Sequence, residues 1–246
     1  MDTHTRLPVV GMVGGGQLAR MTHQAAISLG QSLQVLATSP DDSAAAVAAH
    51  VDIGSHTDLD ALRRFADGCD VITFDHEHVP AEHIRALTEA GVVVHPGADA
   101  LIHAQDKQAM RRRLSRLGLP VPRWAPVATV ADLADFGVPC VLKTTTGGYD
   151  GKGVFVIEDV AAATELLASG TELIAEELVV LRRELAVQVA RSPGGEVVTY
   201  PVVETVQKAG ICTEVIAPAP RLSADTARSA AELAVRIATE LNVTGV

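Results

Sequence analysis

Apolar and polar segments alternate regularly over residues 8 to 97. Five short apolar runs flanked by turn residues predict strands: PVVGMV, LQVLAT, VDIGS, DVITF and VVVHP. Helix-like segments separate them, and the first helix has an apolar face made of Leu18, Met21, Ala25 and Leu29. Strands that alternate with helices are typical of a parallel sheet covered by helices. We therefore predict an α/β fold for this part of the chain.

The pattern changes near residue 120. A predicted helix over residues 107 to 117 leads to LPVPRWAP, whose prolines indicate a linker between two domains. Beyond it, short strands and helices follow in mixed order, including two antiparallel strands joined by the turn SPGGE. A long amphipathic helix is predicted from Ser223, as N-cap, to about Leu241, and NVTGV is predicted to begin another strand. A length of 246 residues allows two such domains.

The most informative segment is PCVLKTTTGGYDGKGVFVI, residues 139 to 157, which predicts a hairpin between two apolar runs. The glycines of its loop are Gly147, Gly148, Gly151 and Gly153. Glycine lets backbone N–H groups approach a ligand closely, and Lys143 and Lys152 add positive charge, so the loop suits the polyphosphate of a nucleotide. Because glycine rather than Ser or Thr follows Lys152, the loop is not a P-loop. We interpret it as a lid over phosphates or, alternatively, as an ordinary surface hairpin.

A second glycine-rich turn follows the first predicted strand. Residues 14 to 19, GGGQLA, match the spacing G-x-G-x-x-A between a strand and a helix, where backbone N–H groups bind phosphate. The acid that a dinucleotide fold has at the end of its second strand is absent, because LATSP offers Thr38 and Ser39 there, and Asp41 follows only after a proline. A dinucleotide is therefore the weaker hypothesis, and one phosphate of a substrate suits the turn equally well.

Acidic residues that follow predicted strands are further candidates for ligand binding. DHEH, residues 75 to 78, follows VITF at the edge where open α/β sheets bind ligands. We predict that Glu77 contacts a substrate, with a solvated loop as the alternative. The two histidines beside it lack a third ligand for a metal site. Glu176 and Glu177 end another apolar strand, and we predict that they either bind a ribose or are solvated.

Basic residues cluster on the predicted helix before the linker. Arg111, Arg112, Arg113 and Arg116 cover more than one side of this helix, so we predict that they form a solvated face. Lys107 lies one turn ahead of them and near the domain junction, where ligand sites concentrate. Lys107 is therefore the stronger candidate for a ligand contact.

Composition narrows the class of ligand. The net charge is −10 and the pI is about 5.3, which oppose binding to nucleic acid or to an anionic membrane. Cys69, Cys140 and Cys212 are far apart and show no CxxC spacing, so neither a disulfide framework nor a zinc site is predicted. No apolar run approaches the length of a membrane span, and the N-terminus lacks the apolar core of a signal peptide. A cytoplasmic protein with small-molecule ligands is therefore expected.

Six motifs, in order GGGQLARM, HPGADAL, QDK, VLKTTTGGYDGKG, AEELV and YPVVETV, carry a family resemblance. Together they resemble the ATP-grasp family and, within it, the 5-(carboxyamino)imidazole ribonucleotide synthases of purine biosynthesis. The resemblance implies a Rossmann-like substrate-binding domain over residues 1–100 and a connecting helix over 101–120. It further implies an ATP-grasp lid subdomain over 121–190 and the start of a C-terminal α+β ATP-grasp subdomain over 191–246.

The resemblance also implies a reaction. Enzymes of this family join ATP, bicarbonate and 5-aminoimidazole ribonucleotide, and they release the carboxyamino product, ADP and phosphate. They use Mg²⁺, whose carboxylate ligands the family places beyond Val246, so no residue here is assigned to a metal. Residues 1–246 are therefore expected to be a truncated form that lacks synthase activity by itself. The family's common assembly implies a homodimer.

Site residues follow from the same resemblance. The nucleotide is expected to contact Lys107, Lys143, Gly147, Gly148, Tyr149, Asp150, Gly151, Lys152, Gly153, Glu176, Glu177, Leu178, Val179, Glu184 and Gln207. The aminoimidazole ribonucleotide is expected to contact Gly15, Gly16, Gln17, Leu18 and Glu77. The residues expected to act in the chemical step are Tyr149, Asp150, Lys152 and Glu77. Gln207 departs from the family, which frequently has histidine there.

Two other functions remain open. A nicotinamide-dependent oxidoreductase built on the first glycine-rich turn predicts tight NADH binding without ATP binding. A non-catalytic, nucleotide-binding ATP-grasp fragment predicts ATP binding without turnover. ATP-grasp ligases that act on other amines have the same nucleotide motifs, so the choice among amines rests on the resemblance.

Asp150→Asn is expected to leave ATP affinity nearly unchanged while suppressing carboxylation, because the side chain is assigned to the amine and not to the nucleotide. Calorimetry measures ATP binding, and amine-dependent phosphate release measures carboxylation. A raised KM for ATP with normal turnover would contradict the assignment.

Overall fold

The computed structural model describes residues 1–148 and 151–246. It divides into two compact units, Met1–Leu101 with Val243–Gly245, and Ile102–Asn242 with Val246. Each unit has a hydrophobic core of its own. The finer division into four segments, inferred from the sequence, stays a prediction. Two of the predicted site residues, Tyr149 and Asp150, lie outside the described residues.

The first unit contains a sheet of four strands. Its elements are β1 (Val10–Val13), α1 (Gln17–Ser28), β2 (Leu33–Ala37), β3 (Val51–Ile53), α2 (Leu59–Ala66), β4 (Val71–Phe74), α3 (Ala81–Glu89) and α4 (Ala98–Gln105). The strand order is β3-β2-β1-β4, and every pairing is parallel. The predicted α/β fold with a parallel sheet is therefore confirmed. VVVHP, predicted as a fifth strand, contributes a single bridge between Ile72 and Val94 within the described chain.

The two faces of this sheet carry separate core clusters. Along β1, Met12 belongs to one cluster and Val13 to the other, because successive side chains of a strand point to opposite faces. Leu62 and Ile84, from α2 and α3, pack in the cluster that contains Val13. The helices therefore cover the sheet in the way that the alternating sequence pattern predicts.

The buried face of α1 differs from the predicted one. The buried residues are Ala19, His23 and Ala26, and the large exposed ones are Leu18, Met21, Ile27 and Leu29. Ala19 packs in one cluster with Ala37 and Ala44, so small side chains meet where the helix contacts the sheet. The prediction from apolar size was wrong here, because close packing selected alanine and left the larger residues on the outer face.

The second unit contains three antiparallel sheets among its described residues. Its elements are α5 (Lys107–Arg116), β5 (Trp124–Val127), α6 (Val130–Phe136), β6 (Cys140–Thr144), β7 (Val154–Ile157), a 3₁₀ helix (Val160–Ala163), α7 (Thr164–Ala168), β8 (Leu173–Glu177), β9 (Glu184–Ala186), β10 (Val189–Arg191), β11 (Val197–Thr199), β12 (Val203–Lys208), β13 (Ile211–Ile216) and α8 (Ala224–Glu240). The strand orders are β5-β8-β6-β7, β13-β12-β9 and β10-β11.

Several predicted elements of this unit are present. The glycine-rich hairpin joins β6 to β7, and the turn SPGGE joins the antiparallel strands β10 and β11. Ser223 caps α8, since its Oγ accepts a hydrogen bond from the Thr226 N–H at 3.1 Å. NVTGV is not a strand in the described chain.

The predicted linker LPVPRWAP is partly a strand, so that interpretation was wrong. Residues Trp124–Val127 form β5, which pairs with β8 at one edge of the four-stranded sheet. Pro126 is compatible with this position, because a strand at an edge needs hydrogen bonds on one side only. Proline content alone therefore did not distinguish a linker from an edge strand.

Gly11→Ala is expected to lower the free energy of unfolding by about 1–3 kcal/mol through overpacking. A Cβ atom at this position meets Cys69 Sγ and Ile72 Cδ1 at 2.6 Å and Phe65 Cε1 at 3.0 Å. Gly97→Ala is the matched control, because its Cβ meets no atom of the described chain within 4 Å. Urea unfolding of both variants is measured by circular dichroism. Equal stability of the two variants would show that β1 tolerates a larger residue.

Candidate functional site

A buried carboxylate lies between two cations in the second unit. β6 and β8 pair with Val141 opposite Glu176, so Lys143 lies diagonally from Glu176 on the same face of the sheet. Lys143 Nζ donates to Glu176 Oε2 at 2.6 Å, and Arg111 Nε, from α5, donates to Glu176 Oε1 at 2.7 Å. We call Arg111, Lys143 and Glu176 the ionic triad.

The carboxylate of the ionic triad is 4% exposed, and its two partners are 21% and 25% exposed. Burial raises the pKa of Glu176, but the hydrogen bonds from Arg111 and Lys143 outweigh it and hold the pKa below its ordinary value. Glu176 is therefore ionised at neutral pH, and both cations are needed to offset its desolvation. Because there are two cations and one anion, a positive charge remains beside the glycine-rich hairpin.

Lys107 brings a further cation to the hairpin. Its Nζ donates to the Gly148 carbonyl at 3.2 Å, and its backbone N–H donates to the Thr145 carbonyl at 2.8 Å. Residues four apart share one face of a helix, so Lys107 and Arg111 both point from α5 toward this part of the unit. The structure thus brings together the three predicted nucleotide residues Lys107, Lys143 and Gly148.

The glycines of the hairpin have backbone conformations that other residues rarely adopt. Gly147, Gly151 and Gly153 have φ angles of 71°, 79° and 70°. A Cβ on Gly151 lies 3.0 Å from the Ala209 carbonyl oxygen, and a Cβ on Gly210 lies 2.7 Å from Gly151 Cα. The hairpin therefore approaches the β12–β13 turn closely, and glycine is required on both sides of this contact.

The segment after β8 is apolar and partly exposed. Leu178 and Val179 are 42% and 45% exposed, and Glu177 is also exposed. Two exposed apolar side chains that follow the ionic triad are suited to contact a flat, uncharged ring such as a nucleobase. The predicted roles of these residues stay predictions.

Glu176 occupies a different position from the one that the sequence suggested. It was predicted to bind a ribose or to be solvated, but both carboxylate oxygens are occupied by the cations of the ionic triad. For Glu176 the solvated alternative is wrong because β8 is covered at this position, and the ribose contact stays a prediction. Glu184, at the start of β9, is half-buried, and Gln207, on β12, is exposed.

A cavity of about 470 Å³ lies in the first unit, above the C-terminal ends of its parallel strands. Its lining includes Gly14, Gly15, Gly16, Gln17 and Leu18, together with Thr38, Asp42, His56, Asp75, His76 and His78. Four of the five predicted substrate contacts therefore line one cavity. Glu77 is not among its lining residues in the described chain, although its neighbours on both sides are.

A carboxylate occupies the glycine-rich turn of this cavity. Asp75 Oδ2 accepts a hydrogen bond from the Gly16 N–H at 3.2 Å, and a Cβ on Gly14 falls 1.6 Å from Asp75 Oδ1. The N–H group expected to bind a phosphate is thus already bonded to an anion, whose charge opposes a second anion. The Asp75 carboxylate therefore disfavours a phosphate at this turn, and the predicted dinucleotide or substrate phosphate there stays a prediction. Asp75 Oδ1 is buried and accepts no hydrogen bond from a described residue.

Asp42 also lines this cavity, beside the glycine-rich turn. Its Oδ2 accepts hydrogen bonds from the Thr38 N–H and Oγ1, both at 2.9 Å, and from the Ser39 N–H at 3.1 Å. Burial raises the pKa of Asp42, but these hydrogen bonds outweigh it and hold the pKa below its ordinary value. An acid does lie at the end of β2, but local N–H and O–H groups occupy it. Pro40 separates Asp42 from β2 in the chain, so the sequence pattern did not place an acid there.

Arg111 was assigned to a solvated helix face, and that prediction was wrong. Its Nε–H is bonded to a carboxylate that lies 65 residues later in the chain. No local pattern in the sequence pairs these two residues, because their contact depends on how α5 packs against the sheet. Of the other arginines in the cluster, Arg112 and Arg116 are exposed, and Arg113 donates to the Glu240 carbonyl at 2.9 Å.

Within residues 1–148 and 151–246, no three His, Cys, Asp or Glu side chains are placed to hold a metal ion. The ring centroids of His56 and His76 are 4.6 Å apart, and those of His76 and His78 are 5.3 Å apart.

No helix within residues 1–148 and 151–246 is long and apolar enough to cross a membrane.

Two family models match separate parts of this chain. Residues 112–246 match the ATP-grasp domain, and residues 7–105 match the ribonucleotide synthetase preATP-grasp domain. The first match alone covers more than half of the 246 residues. The chain therefore belongs to the ATP-grasp family.

Individual relatives give a more specific similarity than the two family models do. The N5-carboxyaminoimidazole ribonucleotide synthase of Mycobacterium tuberculosis is 55% identical over 247 residues, which cover 97% of this chain and 58% of that protein. The synthase of Corynebacterium ammoniagenes is 49% identical, with 98% and 60% covered. The chain thus spans about 60% of the length of these curated relatives.

Two solved structures of such synthases are similar to this chain in fold. The N5-carboxyaminoimidazole synthase of Aspergillus clavatus in complex with ADP and 5-aminoimidazole ribonucleotide has a TM-score of 0.87 and 31% identity, covering 97% of this chain and 63% of that one. The N5-carboxyaminoimidazole ribonucleotide synthetase of Thermus thermophilus has a TM-score of 0.86 and 34% identity, with 96% and 65% covered.

Acidification is expected to weaken the ionic triad. Because the pKa of Glu176 is lower in the folded state, its ion pairs contribute stability above the ordinary pKa of 4.5 and lose it as the pH falls through the folded value. Glu176→Gln is expected to lower the free energy of unfolding by about 3 kcal/mol at pH 7 and to flatten its dependence on pH below 5. Fluorescence of Trp124, the single tryptophan and the register neighbour of Glu176, follows urea unfolding. Parallel pH profiles for the two proteins would contradict this role.

Proposed function

We propose that the chain carries the nucleotide-binding elements of an ATP-dependent ligase that carboxylates 5-aminoimidazole ribonucleotide with bicarbonate. The observation that carries the proposal is the positive charge of the ionic triad beside the glycine-rich hairpin, in a chain of the ATP-grasp family. The names of its relatives supply the substrates. An anion-binding site on this fold suits the phosphates of ATP.

The proposed chemistry has two steps. Bicarbonate is a poor electrophile, so one of its oxygens first takes the γ-phosphoryl group of ATP, which forms carboxyphosphate and releases ADP. The amine of the aminoimidazole ribonucleotide then attacks the carboxyl carbon, the amine loses a proton, and phosphate leaves. Carboxyphosphate hydrolyses readily, so the hairpin has to exclude water during the second step.

The side chains of the second unit have defined roles in this proposal. Lys107 and Lys143 neutralise phosphate charge, which is the main requirement of phosphoryl transfer. Leu178 and Val179 contact the adenine ring. Asp150, which lies outside the described residues, orients or deprotonates the amine, and Tyr149 and Lys152 act with it where the two substrates meet.

The cavity of the first unit is proposed to take the aminoimidazole ribonucleotide. Asp75 Oδ1, which is buried without a donor among the described residues, accepts an N–H or O–H group of this ligand. Because the carboxylate repels anions, the ligand's phosphate lies away from the Gly14–Gly16 turn. Glu77 stays a proposed contact that needs a change of side-chain position.

Mg²⁺, a homodimer and a cytoplasmic location are proposed on the family resemblance. The described residues supply no group that fits a metal ion, so no step here is assigned to Mg²⁺. Magnesium requires oxygen ligands in octahedral geometry, and the resemblance places its carboxylates after residue 246.

The proposal is tested with residues 1–246 completed by the part of the Mycobacterium tuberculosis synthase that this chain does not match. Phosphate release is measured with ATP, Mg²⁺, bicarbonate and 5-aminoimidazole ribonucleotide. We expect release that requires both bicarbonate and the amine, and we expect Lys143→Met to reduce turnover by a factor on the order of 100.

Two results would contradict the proposal. One is a folded chimera that binds ATP but releases phosphate without regard to the amine. The other is unchanged turnover in Lys143→Met, which would remove this lysine from the nucleotide site. Tight NADH binding by residues 1–246 without ATP binding would instead support the oxidoreductase alternative.

A further inference from the structure

The Lys143 ammonium has N–H donors that are not bonded to Glu176. An ammonium group has three N–H donors, and one of them is bonded to Glu176 Oε2. Its side chain is 25% exposed, whereas that of Glu176 is 4% exposed. Lys143 therefore reaches solvent from a carboxylate that is itself covered. An incoming phosphate meets the lysine and not the glutamate.

Arg111 determines how much of that lysine charge is available. With Arg111 present, two positive charges face one negative charge, and one positive charge remains for an anion. Without Arg111, Glu176 neutralises Lys143 and no surplus is left. The effect is strong here because charges in a partly buried site are screened less than charges at the surface.

We infer that Arg111 is a positioning residue that neutralises Glu176, so that Lys143 directs its charge to the phosphates of the bound nucleotide. The inference rests on the proposed function, in which Lys143 contacts those phosphates. It makes Arg111 a determinant of specificity for the number of phosphates, although Arg111 acts through its two neighbours. An arginine that merely fastens α5 to the sheet has no such effect.

The chain offers a matched control on the same helix. Arg112 is the next residue, it is exposed, and Glu176 accepts its hydrogen bonds from Arg111 and Lys143. Arg112→Gln removes the same charge from the same helix at a position that solvent and salt screen. Arg111→Lys keeps the charge with a different shape, and it serves as the conservative variant.

The experiment measures dissociation constants of ATP, ADP and AMP for residues 1–246 in buffer with EDTA, so that the protein alone compensates phosphate charge. The readout is the ratio of the AMP constant to the ATP constant, in which contacts to the adenine and ribose cancel. We expect Arg111→Gln to lower this ratio about tenfold by weakening ATP binding. Arg112→Gln is expected to leave it within about twofold, and Arg111→Lys within about threefold.

A charge-balanced double variant separates electrostatics from structure. Arg111→Gln with Glu176→Gln leaves Lys143 without a counterion, so the surplus of one positive charge returns and the ratio is expected to recover. Failure to recover, or equal weakening of ATP and AMP in Arg111→Gln, would overturn the inference. If Arg111→Gln alone does not fold, the double variant is compared with Glu176→Gln, whose larger positive surplus predicts a higher ratio.

A second measurement does not depend on nucleotide binding. Acetic anhydride modifies accessible amines, and mass spectrometry follows the rate at Lys143. In Arg111→Gln, Lys143 is the one cation of the ionic triad left to pair with Glu176, so its ammonium is held more tightly and the rate is expected to fall several-fold. In Arg112→Gln the rate is expected to stay the same. An unchanged rate in Arg111→Gln would overturn the inference. If residues 1–246 bind no nucleotide while this rate falls, the proposed function fails, and only the neutralisation of Glu176 by Arg111 stands.

Discussion

The buried Glu176 carboxylate is the constraint on which the second unit depends. It lies on a strand paired on both sides, and it is compensated by a lysine of the neighbouring strand and an arginine of α5. Because a covered charge without partners costs several kcal/mol, helix and sheet are held in one arrangement. The same arrangement leaves positive charge beside the hairpin. Stability and the proposed anion binding therefore have a common origin.

The two glycine-rich turns of the chain differ in the kind of ligand that they favour. In the first unit, Asp75 fills the turn and bonds the Gly16 N–H, so this turn favours a ligand that donates hydrogen bonds. In the second unit, Lys107 and Lys143 accompany the hairpin, so this loop favours anions. Similar backbone motifs thus have opposite electrostatic character, and the side chain that packs against each one decides it.

Local patterns predicted much of the fold. The parallel sheet, the hairpin and the capped helix α8 depend on periodicity and turn residues within short segments, which a single sequence displays. Arg111 and Asp75 could not be placed in this way, because their partners lie 65 and 59 residues away. Residue size also gave the wrong prediction for the buried face of α1, where alanine faces the sheet. Long-range packing is the information that the pattern lacks.

Pro126 gives the four-stranded sheet two unlike edges. Proline has no N–H to offer a further strand, so the β5 edge resists extension by another chain. The opposite edge is β7, whose Val154, Phe155 and Val156 are 39% to 58% exposed. A polypeptide that adds a strand to this sheet is therefore expected to add it along β7, the strand into which the glycine-rich hairpin leads.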